Sequence, residues 1–374
     1  MTQPPAARVG DPAELIDTPA LVVDLDLLEA NIRHMAEYAA ARGLRLRPHA
    51  KTHKCAEIAR LQIAAGAVGI CCQKIGEAEA LAHAGVSDIL VSNQVVTDAK
   101  LSRLAALSRS IRIAVCADDA ANVDRIAAAA QRFGTEITVL VEIDVGTGRC
   151  GVAPGVQALD LARQIARTRG LRFGGLQAYH GRAQHIRDHG ERRAAIAAAA
   201  GGLRQTLDLL TAEGLTCETV GGAGTGSFPF EAEFGLWNEL QVGSYVFMDA
   251  DYARNLDADG GPDRTFGHAL TVRSTVISTA VEGRIVTDAG LKAFSMESGG
   301  PAVRDAPWAE VLGVSDEHTV IAVAQGANRP GIGTALDLIP GHCDPTVNLH
   351  DWIIGLRNGI VESVWPVTAR GALS

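Results

Sequence analysis

Arg47-Pro48-His49-Ala50-Lys51-Thr52-His53-Lys54 gathers two lysines, two histidines and an arginine into one short run. It closes an apolar strand pattern (Leu44, Leu46) and opens a helical one that begins at Cys55. Lys51 therefore falls near the C-terminal end of a strand, among other cations. Neighbouring cations disfavour an ammonium, so the local sequence predicts a Lys51 amine that gives up its proton easily. A free amine attacks carbonyls and forms Schiff bases. Alone, the run also reads as a basic surface loop, and the rest of the chain has to decide.

Three further constellations have chemical content. Gly221-Gly222-Ala223-Gly224-Thr225-Gly226-Ser227 follows the apolar residues 217–220. Such a loop turns tightly and aims several N–H groups at one anion, with Thr225 and Ser227 as hydroxyl donors. It lacks the lysine of a Walker A loop. Asp144 and the Gly146-Thr147-Gly148-Arg149-Cys150-Gly151 run after it place an always-charged guanidinium in a tight turn. His342-Cys343-Asp344 lies between two prolines. Read as extended chain, its residues i and i+2 face one way, so imidazole and carboxylate converge while Cys343 points away. That pair suits a divalent metal, with Mn2+ or Mg2+ favoured over Zn2+ because no thiolate takes part. Tyr179 and His180 end another apolar run, with His185 shortly after.

The elements that must position these residues follow from periodicity. Strand-like runs at 20–23, 44–48, 68–72, 89–92, 111–116, 137–143, 173–180, 217–221 and 240–246 alternate with alanine-rich helical runs. Such alternation implies parallel strands covered on both faces. About eight repeats fit an α/β (β/α)8 TIM-type barrel, with the first of the nine runs free to join another sheet. Functional side chains then belong at the C-terminal ends of strands, where His49, Lys51, Gln73, Asn93, Arg149, Tyr179 and the 221–227 loop all fall. After about residue 262 the pattern becomes the period-2 alternation of half-buried antiparallel strands. The expected division is a barrel over 20–255 and a smaller β-domain from 1–19 plus 262–374 that carries His342 and Asp344. The stretch 257–263 (DADGGPD) reads as the linker.

Composition excludes several classes. The chain has 374 residues, 47% of them apolar and only 4% aromatic, so its core is built from small and aliphatic side chains. A net charge of -9 without a basic cluster argues against nucleic acid and anionic membranes. No apolar run is long enough for a membrane span, and 1–15 lacks the apolar core of a secretion signal. Seven cysteines without CxxC spacing suit a reduced, cytoplasmic protein.

Taken in order, 47–54, 146–151, 221–227 and 342–348 resemble the fold-type III pyridoxal phosphate enzymes, the alanine-racemase-like barrels. More narrowly they resemble the D-threonine aldolase family, related to eukaryotic-type D-serine dehydratases. The resemblance runs from Asp17-Thr18-Pro19-Ala20 to Asp351-Trp352. It implies that Lys51 holds pyridoxal 5'-phosphate. Arg149 would lie near the pyridine nitrogen, Tyr179 beside the cofactor, and Gly222, Thr225 and Gly226 at its phosphate. His342 and Asp344 would hold the metal. The implied reaction is retro-aldol cleavage of a D-β-hydroxy-α-amino acid to glycine and an aldehyde, with His185 or metal-bound water as the base and a homodimer as the working form. Related dehydratases show His-x-Cys at the metal pair. Here Asp344 takes the second position, which favours the aldolase over a D-hydroxyamino-acid dehydratase. A racemase is disfavoured because 269–374 contains no tyrosine to act as its second base. A non-catalytic pyridoxal phosphate carrier would leave the β-domain without a purpose.

Overall fold

The computed structural model describes residues 4–374, so the first three residues of the expected β-domain segment lie outside it. The first strand, β1 (Ala20–Asp24), pairs in the second sheet and feeds the helix Leu25–Ala41. Eight parallel strands follow: β2 (Arg45–Leu46), β3 (Ile70–Cys72), β4 (Asp88–Gln94), β5 (Arg112–Ala117), β6 (Ile137–Glu142), β7 (Leu171–Ala178), β8 (Thr219–Gly222) and β9 (Glu239–Leu240). β2 pairs with β9, and β3 to β9 pair in sequence. Hydrogen bonds from Val68 N–H to Leu46 O (2.8 Å), Cys71 N–H to Pro48 O (2.8 Å) and Ala50 N–H to Cys71 O (2.8 Å) join β2 to β3 and close the barrel.

The helices outside the barrel form for local reasons. Over Ala120–Phe133, Asp119 caps the start by accepting the Asn122 N–H at 2.8 Å, and Gly134 ends it at φ 64. Its Val123, Ile126, Ala127 and Ala130, three and four apart, are buried against the strands. Inside the barrel, Cys71, Leu90, Cys116 and Leu140 form one apolar layer. The cysteines are unpaired, and Cys55, Cys71, Cys72, Cys116 and Cys343 are buried.

Beneath that layer the barrel is plugged by charge. Arg47 donates to Glu239 at 3.0 Å and to Asp88 at 2.6 Å, and the Glu239 side chain is fully buried. Removing one partner of such a cluster leaves buried charge uncompensated. Glu239→Ala is expected to lower stability by about 3 kcal/mol in urea denaturation. An unchanged midpoint would show that Asp88 alone satisfies Arg47.

The second sheet comprises β1 with β10 (Leu270–Ser278), β11 (Arg284–Thr287), β12 (Ala302–Val303), β13 (Ala309–Val314), β14 (Thr319–Val323), β15 (Ala335–Ile339), β16 (Trp352–Arg357) and β17 (Ile360–Pro366). Its main order is β13-β14-β11-β10-β1-β16-β17. The sequence predicts an antiparallel sheet. The observed one is mixed, because β1 runs parallel to β16. A parallel pair needs a crossover, and here the whole barrel supplies it. The run at 240–246 is also shorter as a strand than expected. Past Gly243 it turns into a 3-10 helix over Ser244–Val246. A Cβ on Gly243 would lie 2.7 Å from Thr52 Oγ1, so only glycine lets the chain pass. The 257–263 stretch forms a turn capped by Asp257, whose Oδ1 accepts the N–H of Asp259 and of Gly261.

Candidate active site

A cavity of about 230 Å3 opens at the C-terminal ends of the barrel strands. Residues from seven of the eight strands or the turns after them line it, among them His49, Gln73, Ser92, Glu142, Tyr179 and Gln241. Lys51 and Arg149 bring two cations to it, and Thr225, Gly243 and Ser244 form part of the wall. Among the described residues, the N–H groups of Thr225, Gly243 and Ser244 have no acceptor within the chain. Three unspent donors on one wall make an anion cradle. Gln177 and Gln241 also line the cavity, with Gln177 Nε2 donating to Gln241 Oε1 at 2.7 Å. An anionic, planar group with its own polar edges fits these donors and cations, as pyridoxal phosphate does.

The expected phosphate residues divide. Thr225 lines the cavity, and its Oγ1 accepts the Tyr245 N–H at 2.9 Å, which ties the 221–227 loop to the turn at Gly243. Gly222 belongs to β8 and does not reach the cavity. A Cβ there would lie 2.3 Å from Ala178 O and break the β7–β8 ladder. Gly226 backs onto Gln184, donating its N–H to Oε1 at 2.9 Å. Gly243 and Ser244, on the opposite turn, share the cradle with Thr225.

The loop carrying Arg149 is set by Asp144, whose Oδ1 accepts the N–H of Gly146 and of Gly148, each at 3.0 Å. Thr147 Oγ1 then donates to Tyr179 O at 2.8 Å and accepts the Gly181 N–H. Arg149 and Tyr179 thus reach the cavity as one unit. Burial pushes the Tyr179 phenol upward against the opposing pull of Lys51 and Arg149, so the hydroxyl stays protonated.

The ionisation expected of Lys51 is reversed. Burial alone would lower its pKa, but the Asp344 carboxylate, paired directly with its Nζ, raises it well above the ordinary value. The cations named in the sequence do not act as such. Burial drives His49 far below the usual imidazole range and His53 down to about 4, so both rings are neutral. Lys54 is spent on Glu77 at 2.6 Å. His49 Nδ1 accepts the Lys51 N–H at 3.3 Å, and its Nε2 meets Ser92 Oγ at 3.1 Å and Gln73 Nε2 at 3.0 Å.

His342 and Asp344 do converge, although not as extended chain. His342 is the N-cap of a short helix over Cys343–Val347, and Asp344 sits in its first turn. His342 Nε2 lies 4.0 Å from Asp344 Oδ2. Burial would raise the Asp344 carboxyl, yet Lys51 and His342 hold it well below the carboxylate range. The other ring nitrogen, His342 Nδ1, meets Asp249 Oδ2 at 2.8 Å. Asp249, His342 and Cys343 also form a cluster of possible ligand atoms. Asp249 is already occupied by three donors, however, and burial pushes the Cys343 thiol far up. The pair with spare ligand capacity is His342 Nε2 and Asp344.

His185 lies in the 3-10 helix Arg182–His185, its side chain about half exposed at 47%. Its Nδ1 meets Asp251 Oδ2 at 2.7 Å, so Nε2 is the free nitrogen. Its ring is 5.8 Å from that of Tyr252, which lines the cavity and lies 6.5 Å from His342. His185 is therefore a rim residue, separated from the floor by Tyr252.

With that geometry in place, the relatives are informative. The alanine racemase N-terminal domain matches residues 23–251, and a putative serine dehydratase domain matches 269–356. The chain is 46% identical over 368 residues to a D-threonine aldolase of Arthrobacter sp, spanning 98% of this chain and 96% of that protein. It belongs to the D-threonine aldolase family. A 3-hydroxy-D-aspartate aldolase of Paracoccus denitrificans (strain Pd 1222) is also 46% identical, over 98% of this chain and 95% of that one. The crystal structure of D-threonine aldolase from Filomicrobium marinum matches with a TM-score of 0.96 at 47% identity, over all of both chains.

Sequence reading missed several groups that this D-threonine aldolase fold brings to the site: Asp249, Asp251, Gln241, Glu142, Tyr252, and Glu231 behind the glycine-rich loop. Glu231 Oε1 accepts from Ser227 Oγ at 2.8 Å, but its Oε2 is buried without a partner. Burial pushes this carboxyl from 4.5 up to about 7. A raised folded-state pKa means stability present below 4.5 is lost as pH rises to about 7. Glu231→Gln is expected to stabilise the protein by on the order of 2 kcal/mol at about pH 8, with almost no gain at about pH 4.5. Urea denaturation at both pH values checks this, and equal effects at the two would contradict it.

Proposed function

We propose that this chain cleaves D-threonine and other D-β-hydroxy-α-amino acids between Cα and Cβ, giving glycine and an aldehyde, and that it uses pyridoxal phosphate together with a divalent metal, Mn2+ or Mg2+. One observation carries the reading. Asp344 Oδ2 touches Lys51 Nζ and lies 4.0 Å from His342 Nε2. Lys51 would hold the cofactor next to His342 and Asp344, so a substrate bound there would have its β-hydroxyl within reach of the metal pair.

Lys51 holds the cofactor covalently, Thr225, Gly243 and Ser244 receive its phosphate, and Arg149 and Tyr179 orient its ring. When bound, the cofactor supplies an electron sink for Cα and the metal a Lewis acid for the β-hydroxyl. His342 Nε2 and Asp344 hold the metal. His185, at the rim, takes the hydroxyl proton on Nε2 through water, and Asp251 keeps the ring in that tautomer. With Lys51 committed to the cofactor, its Nζ would no longer pair as a free ammonium with Asp344, which would leave that carboxylate available as a ligand. The functional division follows a barrel that holds the cofactor and a β-domain, joined by β1 (Ala20–Asp24), that brings the metal pair.

Unpaired cysteines fit a cytoplasmic setting. Among the described residues no helix is long and apolar enough to cross a membrane. The resemblance implies a homodimer, which light scattering tests. The deciding experiment incubates the protein with D-threonine, pyridoxal phosphate and Mn2+, with and without EDTA. Glycine and acetaldehyde that disappear on chelation are expected. Ammonia and 2-oxobutanoate would make it a dehydratase, and no turnover of any D-β-hydroxyamino acid would sink the enzymatic reading.

A further inference from the structure

We infer that Asp249 is the positioning residue that makes His342 a metal ligand, by fixing which of its two ring nitrogens faces Asp344. This deepens the metal-site reading above and rests on it. Asp249 stands on the barrel side of the junction between the two sheets, in the turn that follows the 3-10 helix Ser244–Val246. The Asp249 side chain is fully buried and all its contacts are local to the site. Its Oδ1 accepts the Tyr252 N–H at 2.9 Å. Its Oδ2 accepts the Cys343 N–H at 3.0 Å and meets His342 Nδ1 at 2.8 Å. The same turn grips the neighbouring segment through its backbone, from Ala250 N–H to Pro340 O and Asp251 N–H to Gly341 O, each at 3.0 Å.

Both Asp249 oxygens already act as acceptors for backbone N–H groups, Oδ1 for Tyr252 and Oδ2 for Cys343, so the Nδ1 that faces Oδ2 is the donor. The lone pair of the neutral ring is then on Nε2, the atom 4.0 Å from Asp344 Oδ2. A carboxylate behind a ligating imidazole also makes it a stronger base. The carboxylate cannot be exchanged for an amide without conflict. With three N–H groups converging on its two oxygens, an asparagine must turn its NH2 toward either Tyr252 N–H or the His342–Cys343 pair. In the second arrangement His342 flips to the Nε2–H tautomer and loses its ligand lone pair.

The test compares Mn2+ binding to wild type, Asp249→Asn, His342→Ala and Asp344→Asn. Each is the full chain loaded with pyridoxal phosphate, stripped with EDTA and titrated by the electron paramagnetic resonance of free Mn2+. Asp249→Asn is expected to weaken Mn2+ about 10- to 100-fold. Its cofactor absorbance should stay close to wild type, which a general packing defect would not allow. Wild-type affinity in Asp249→Asn, with binding lost in His342→Ala, overturns the inference and spares the metal-site reading. Wild-type affinity in both His342→Ala and Asp344→Asn overturns the two together. A second measurement needs no folded Asp249 variant. Nitrogen-15 histidine spectra of the metal-free wild type at alkaline pH, with His342→Gln for assignment, should show His342 as the Nδ1–H tautomer. The Nε2–H tautomer would overturn the inference.

Discussion

Lys51→Ala is expected to reduce cleavage of D-threonine to background and to abolish the absorbance of covalently held pyridoxal phosphate. The fold should survive, because Lys51 is an ion-pair partner at a cavity wall and no part of the apolar core. The same substitution carries a second, less obvious expectation. Asp344 loses the ammonium that it pairs with in this structure. A carboxylate without that competitor should bind Mn2+ at least as tightly as in wild type. Steady-state assay, absorption spectra and Mn2+ titration of one variant therefore read three separate properties. Retained turnover would remove Lys51 from the chemistry, and a loss of Mn2+ binding would mean that Lys51 supports the metal pair instead of competing for it.

His342→Ala should have the second largest effect, lowering kcat/KM by on the order of a thousandfold, the several kcal/mol that a metal contributes by polarising an oxygen. Prolonged EDTA treatment should reproduce that loss in wild type, and added Mn2+ should reverse it there but not in His342→Ala. Cys343→Ser sharpens the comparison. Cys343 lies within ligand distance of Asp249 and His342, yet it is fully buried and its thiol is held protonated. Its replacement should leave the Mn2+ requirement intact. A Cys343→Ser enzyme that no longer responds to Mn2+ would assign the thiol as a ligand and displace Asp344 from that role.

The architecture was legible because its signal is local. Alternation of apolar and alanine-rich runs fixes parallel strands and outer helices, and strand ends place Lys51, Arg149 and Tyr179 without any distant information. What failed depended on partners far along the chain. Lys51 appeared to sit among cations, but its ionisation is decided by Asp344, 293 residues away. His342 and Asp344 share a face as cap and first turn of a helix; the Pro340–Asn348 run, with its prolines, suggested extended chain instead. Asp249 has no local mark at all, and its role arises from a contact with His342 that spans 93 residues. The glycine-rich loop was visible, but which of its N–H groups face the cavity is settled by Gly243 and Ser244 on a different strand end.

The placement of β1 bears on the order in which the molecule can be completed. β1 precedes the other strands among the described residues, and it occupies the interior of the mixed sheet, with Val22 registered against Thr271 on one side and Ile354 on the other. Both neighbours emerge from the ribosome only after the entire barrel. Until then β1 has two unpaired edges, the situation that invites wrong pairing during synthesis. The barrel strands pair largely with their sequence neighbours and can form earlier. His342 and Asp344 reach the barrel mouth on the same late segment that supplies β16. The metal pair thus waits on the same late stretch of chain that completes the sheet, since His342 and Asp344 immediately precede β16.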